Sequence, residues 1–159
     1  MKRIFLAFIM VCCLILTACN STSIGVIGGV DGPTAIYVNE DKWGLTLYSD
    51  NVTNTRMTVK FRQFGGNPSG ELKTGEWFEL EKMEDDTWQI VSTNRLINIV
   101  WNSVAYIIKT NDITELKVDW KWLYGELPAG SYRLSKKVMD YRAPGDFDEE
   151  IYQVHFTIE

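Results

Sequence analysis

From Trp43 to the C-terminal residue Glu159, apolar side chains recur with a period of two rather than 3.6. That spacing commits the region to extended strands with one buried and one exposed face. Leu45 and Leu47 alternate with Thr46 and Tyr48. Beyond an Asp50-Asn51 turn signal, Met57, Val59 and Phe61 alternate with Arg56, Thr58, Lys60 and Arg62. Gly65-Gly66-Asn67-Pro68-Ser69-Gly70 reads as a loop, and Trp77 to Met83 with Thr87 to Val91 reads as a hairpin across Glu84-Asp85-Asp86. Leu116, Val118 and Trp120 share one strand face, Tyr132, Leu134 and Val138 mark another strand, and Tyr152, Val154, Phe156 and Ile158 close the chain. Asn94 to Ile108 fits either a short helix or an irregular strand pair. Six or seven short strands, with no convincing amphipathic helix between them, predict an all-β antiparallel sandwich of about 115 residues.

The N-terminus follows different rules. Lys2 and Arg3 precede an apolar run from Ile4 to Leu16, about 13 residues, which suits a signal peptide and is too short to span a bilayer as a helix. The chain therefore divides into a leader over 1–18, a glycine-rich arm over 19–41 and a sandwich over 42–159. With 45% hydrophobic and 13% aromatic residues, the sandwich has material for one packed core. Losing Lys2 and Arg3 with the leader removes two positive charges and takes the formal charge from −5 to −7. That balance argues against nucleic acid and against adhesion to anionic lipid, both of which reward clustered basic residues.

Three short stretches carry family resemblances. Leu16-Thr17-Ala18-Cys19 resembles a bacterial lipobox, which implies cleavage before Cys19 and a diacylglycerol on its sulfur. The protein would then sit on the extracytoplasmic face of the cell membrane, with the membrane itself as its first partner. Cys12 and Cys13 lie inside the leader, so the mature domain has no disulfide to form. Gly28-Gly29-Val30-Asp31-Gly32-Pro33-Thr34 is similar to a signature of the membrane β subunit of sodium-translocating decarboxylases, with Val30 in place of alanine, and by that likeness Asp31 would be an ion-associated carboxylate. Read from its residues alone, the segment is a short arm with a tight turn at Pro33. Leu127-Pro128-Ala129-Gly130-Ser131-Tyr132 fits a tyrosine corner, in which the Tyr132 hydroxyl returns to upstream backbone. Together with Trp77-Phe78-Glu79-Leu80-Glu81-Lys82, Trp88 and Tyr124 to Lys136, it resembles the bacterial immunoglobulin-like domain over 42–159. That resemblance implies a sandwich in an extracytoplasmic setting and brings no catalytic residues with it.

Chemistry sought on its own terms points to binding more than to reaction. His155 falls on the outward phase of the last strand, no cysteine nucleophile survives processing, and no Gly-x-Ser-x-Gly elbow is present. Asp146, Asp148, Glu149 and Glu150 lack the offsets of a calcium loop and read as a solvated hairpin tip. Arg56, Lys60 and Arg62 face outward, as do Glu79 and Glu81, and they would pair across the sheet if their strands are neighbours. Six tryptophans are many for one small sandwich; most read as core or partial cover, with exposed ones able to stack on sugar rings. The expected function is a non-enzymatic, lipid-anchored interaction module that needs neither cofactor nor metal and engages an envelope protein or polysaccharide. The alternatives are an ion-linked transport accessory using Asp31 and an envelope polysaccharide binder.

Overall fold

The structure, a computed structural model, describes residues 41–93 and 99–159. Within them β1 (Leu45–Asp50), β2 (Arg56–Gln63) and β6 (Asp112–Asp119) make a three-stranded antiparallel sheet in the order β1-β2-β6. The facing sheet runs β4 (Thr87–Ile90), β3 (Glu71–Glu84), β7 (Gly130–Ala143), β8 (Asp146–Ile158). The short β5 (Tyr106–Ile107) pairs with the far end of β3. One helical turn, α1 (Lys121–Tyr124), follows β6. The chain is an all-β sandwich of two antiparallel sheets.

The period-two pattern explains the core. Leu47 sits opposite Phe61 and Met57 opposite Val118, so the inward face of the first sheet is mainly apolar, with Ser49 and Gln63 its buried polar members. It shares a single buried cluster with Leu80, Leu134, Val138, Val154 and Phe156 of the second. Val59, Phe61, Leu80 and Leu134 have no exposed surface, and each such side chain contributes about 1.5–3 kcal/mol as an upper bound. Trp120 completes the core beyond the end of β6 rather than within it. Its indole nitrogen donates to the Asn54 carbonyl at 2.9 Å, which matches its one polar atom, and its ring lies 5.4 Å from Phe156.

Two elements depart from the sequence pattern. β3 starts at Glu71, six residues ahead of Trp77, because Leu72 and Thr74 already point inward; a register shift between Thr74 and Phe78 interrupts the alternation and conceals the continuity. Within Asn94 to Ile108, residues 94–98 lie outside the described residues, 99–105 are irregular, and β5 follows.

The charge ladder expected between the second and third strands does not form, since β2 and β3 belong to different sheets. Lys60 instead bridges Asp50 on β1 and Glu115 on β6, while Glu81 takes a two-pronged pair from Arg133 on β7. Outward phase can be read from alternation, but neighbourhood cannot. The described chain begins at Asp41, whose carboxylate accepts from the Tyr152 hydroxyl at 2.7 Å and the Leu45 amide at 2.6 Å.

Candidate functional site

Where the β6 edge faces the β5 end of β3, the two sheets part and a cleft of about 190 Å³ opens. Its inner wall follows from the β3 irregularity. Residues 75–77 fall between the two registers of β3 on β7, which frees the Gly75 carbonyl from the ladder and brings Glu76 to the opening. Opposite Phe78 on β7 sits Lys136, in phase with Leu134 and Val138 and therefore aimed inward. Its side chain is wholly buried and its ammonium donates to the Gly75 carbonyl at 2.5 Å. Burial pushes the amine down to about 8, while the charge of Glu76 pulls the other way.

The remaining walls are aromatic and charged. Glu76 accepts from the Asn102 amide at 3.0 Å and the Tyr106 hydroxyl at 3.4 Å, which fixes its carboxylate at the rim. Trp101 meets Phe78 edge-on, with centroids 5.2 Å apart, and meets Trp122 edge-on at 5.6 Å. Trp122, carried by α1, stays 43% exposed at the mouth. Lys117 and Asp119 arrive from β6, and the Asp119 carboxylate accepts from the Lys121 amide at 2.9 Å. A wider groove of about 490 Å³ runs between β1 and β8, but there Lys42 is paired with Glu150 and Asp41 with Tyr152.

At the start of β7, Tyr132 is buried and its hydroxyl donates to the Pro128 carbonyl, four residues upstream, at 2.8 Å. Leu127 beside it is buried, and Gly130 has φ +152°, where an added Cβ would lie 3.2 Å from Lys82 Cε and 3.6 Å from the Tyr132 ring. A family model described as the bacterial Ig-like domain matches residues 39–153, most of the chain. The chain belongs to that family. No curated protein and no solved structure matches it.

The Ig-like domain distributes the other residues singled out in the sequence away from the cleft. His155 faces outward but is half-buried, edge-on to Trp88 at 5.0 Å, with Arg133 over the same indole at 4.8 Å. Burial, followed by the Arg133 charge, lowers its pKa. The acidic residues leaving the β7–β8 turn are spent on ion pairs: Asp146 and Asp148 hold Arg142, Glu149 holds Lys137 and Glu150 holds Lys42. Among the described residues no three His, Cys, Asp or Glu side chains gather as a metal site. Of the tryptophans, Trp43 and Trp120 are core, Trp77, Trp88 and Trp101 are partly buried, and Trp122 is exposed. Cys19 and Asp31 lie outside the described residues.

Sequence reasoning missed Lys136. Its parity with Tyr132, Leu134 and Val138 was the available signal, since a lysine on the inward phase of a central strand must be buried with a partner. Finding that partner required the β3 bulge, which no periodicity reveals.

Proposed function

We propose that this protein is a membrane-anchored extracytoplasmic lipoprotein that displays its Ig-like domain as a non-catalytic binding module. The observation that carries the binding reading is a concentration of exposed apolar residues next to the cleft in sequence. Of the nine exposed large apolar side chains among the described residues, Val100, Val104, Ile107, Ile113 and Trp122 fall between positions 100 and 122, the segment that builds one wall of the opening. The rim of the cleft carries the Glu76 carboxylate, held by an amide and a phenol, beside the exposed Trp122.

The anchoring reading is supported by Leu16-Thr17-Ala18-Cys19 behind its apolar run. A diacylglycerol supplies two acyl chains, enough for stable attachment without a basic patch, in keeping with an acidic protein. Detergent-phase partition of the host-expressed chain tests it. The parent enters the detergent phase and Cys19→Ser enters the aqueous phase; a Cys19→Ser variant that still follows the detergent would sink the anchor.

A further inference from the structure

We infer that the end of the sandwich at which the chain enters is a membrane-docking surface, with Phe64, Ile107, Ile113 and Phe147 seated in the interface of a lipid bilayer. The inference rests on reading Cys19 as the anchor and adds how the anchored domain stands on the lipid.

Contacts of the first described residues define that end. The Asn67 amide donates to the Lys42 carbonyl at 2.7 Å and the Phe64 amide to the Gly44 carbonyl at 2.9 Å, which lays the loop after β2 against the entering chain. The Arg62 guanidinium stacks on the Phe64 ring at 4.5 Å, and Arg62 sits opposite Ile113 on β6. The Ile108 amide donates to the Leu72 carbonyl at 2.8 Å and so ties the second sheet to the same end. There Lys73 sits opposite Ile107 and over the Tyr141 ring at 4.0 Å, and Tyr141 sits opposite Phe147. Four of the nine exposed large apolar side chains among the described residues therefore gather at one end. Scattered singly they would need no explanation, but gathered they mark a surface that something covers.

Charge then selects the partner. Residues 64–70 and 143–145 hold no charged side chain, and 108–111 hold Lys109 alone. The acids beside these turns are paired, Asp112 with Lys109, Glu71 with Lys73, and Asp146 and Asp148 with Arg142. At the opposite end the β3–β4 turn carries Glu84, Asp85 and Asp86, and Asp119 and Glu126 flank α1. An anionic bilayer repels that end and admits the first. A domain this acidic gains no general attraction to lipid, so the contact comes from apolar burial, with Arg62 and Lys109 reaching along it to headgroup phosphates. The anchor makes a weak contact sufficient. Only residues 20–40 separate Cys19 from Asp41, so lipid on Cys19 keeps this end near the surface at high effective concentration. A second copy of the chain could cover the same four side chains but would leave the difference in charge between the two ends without a role. Docked this way, the domain carries Asp119 and Trp122 at its far end, away from the lipid.

The test reconstitutes the full-length protein purified from host membranes into vesicles of phosphatidylethanolamine and phosphatidylglycerol that carry a nitroxide on the lipid headgroup. A fluorophore is attached through Thr110→Cys or through Lys121→Cys, exposed positions beyond opposite ends of β6 and roughly 25 Å apart at about 3.4 Å per residue. The nitroxide quenches the dye at position 110 and spares the dye at position 121. Adding Phe64→Ser and Ile113→Ser, both at exposed positions, lowers quenching at 110 to the level at 121 while the vesicles still carry the protein on flotation. Equal quenching at the two positions in floating protein overturns the inference and leaves the anchor standing, as does quenching at 110 that survives the double substitution. Disulfide crosslinking between copies through position 110 of the unlabelled protein, without lipid quenching there, overturns it in favour of a dimer. A protein that fails to float rejects the anchor and the inference together.

Discussion

Lys136 gives the domain an unusual response to alkaline pH. The unfolded chain keeps this amine protonated up to its ordinary range near 10.5, whereas the folded chain releases the proton near 8. Between those values the unfolded state binds more protons, so stability rises with pH. The full difference is worth about 3 kcal/mol, of which about 1.3 kcal/mol is recovered between pH 7 and pH 9. That window isolates the lysine. His155, with its pKa lowered, titrates below it, and Tyr124, Tyr132 and Tyr152, raised chiefly by burial, oppose the trend only at higher pH. Urea unfolding followed by tryptophan emission at intervals from pH 7 to pH 9 reads the effect as a rising midpoint at constant slope. Lys136→Met keeps most of the volume and removes the proton. Its stability should be flat over the same window and within about 2 kcal/mol of the parent at pH 7, because relief of the buried charge offsets the orphaned Gly75 carbonyl. A parent with no rise, or a Lys136→Met protein that keeps the rise, would refute the placement of the amine in the core.

Three further substitutions probe separate joints. Tyr132→Phe removes the bond to the Pro128 carbonyl and should cost about 1–3 kcal/mol in thermal or urea unfolding; an unchanged melting point would count against it. Asp140 is buried and accepts from the Ser69 amide at 2.7 Å, the Ser69 hydroxyl at 2.8 Å and the Gly70 amide at 2.6 Å. Burial pushes its carboxyl up, but these bonds and Arg142 outweigh burial and hold it below the usual 3.8. Its stabilisation is present above that value and is lost as pH falls through the lower folded one. Asp140→Asn should therefore lose about 2 kcal/mol at pH 7 and show a shallower acid transition, checked by unfolding from pH 7 to pH 2. At Gly44, φ is +63° and a Cβ would fall 2.5 Å from the Gly65 carbonyl carbon, so Gly44→Ala should cost about 2 kcal/mol or more, read from the same unfolding curves.

Much of the fold was legible because alternation is a direct image of a two-faced strand. Leu45, Leu47, Met57, Val59, Phe61, Val154, Phe156 and Ile158 are buried on the phase their spacing gives. What escaped was non-local. Glu71 to Glu76 lost their strand signal at the Gly75 irregularity, and the Lys60 and Glu81 pairs depended on which strands lie side by side. The cleft escaped for the same reason: Glu76, Trp101, Trp122 and Lys136 come from four separate segments, and Lys136 looks like any surface lysine until the bulge opposite it is known. The tryptophan count could not say which indole would be left exposed, and the structure leaves Trp122 so.

The proposed display of the sandwich from the membrane depends on lipid at Cys19. Mass spectrometry of the N-terminal peptide of the protein purified from host membranes tests this most directly. The expected peptide begins at Cys19 and carries diacylglycerol on its sulfur. A peptide beginning at Met1, or at Cys19 with a free thiol, would contradict it.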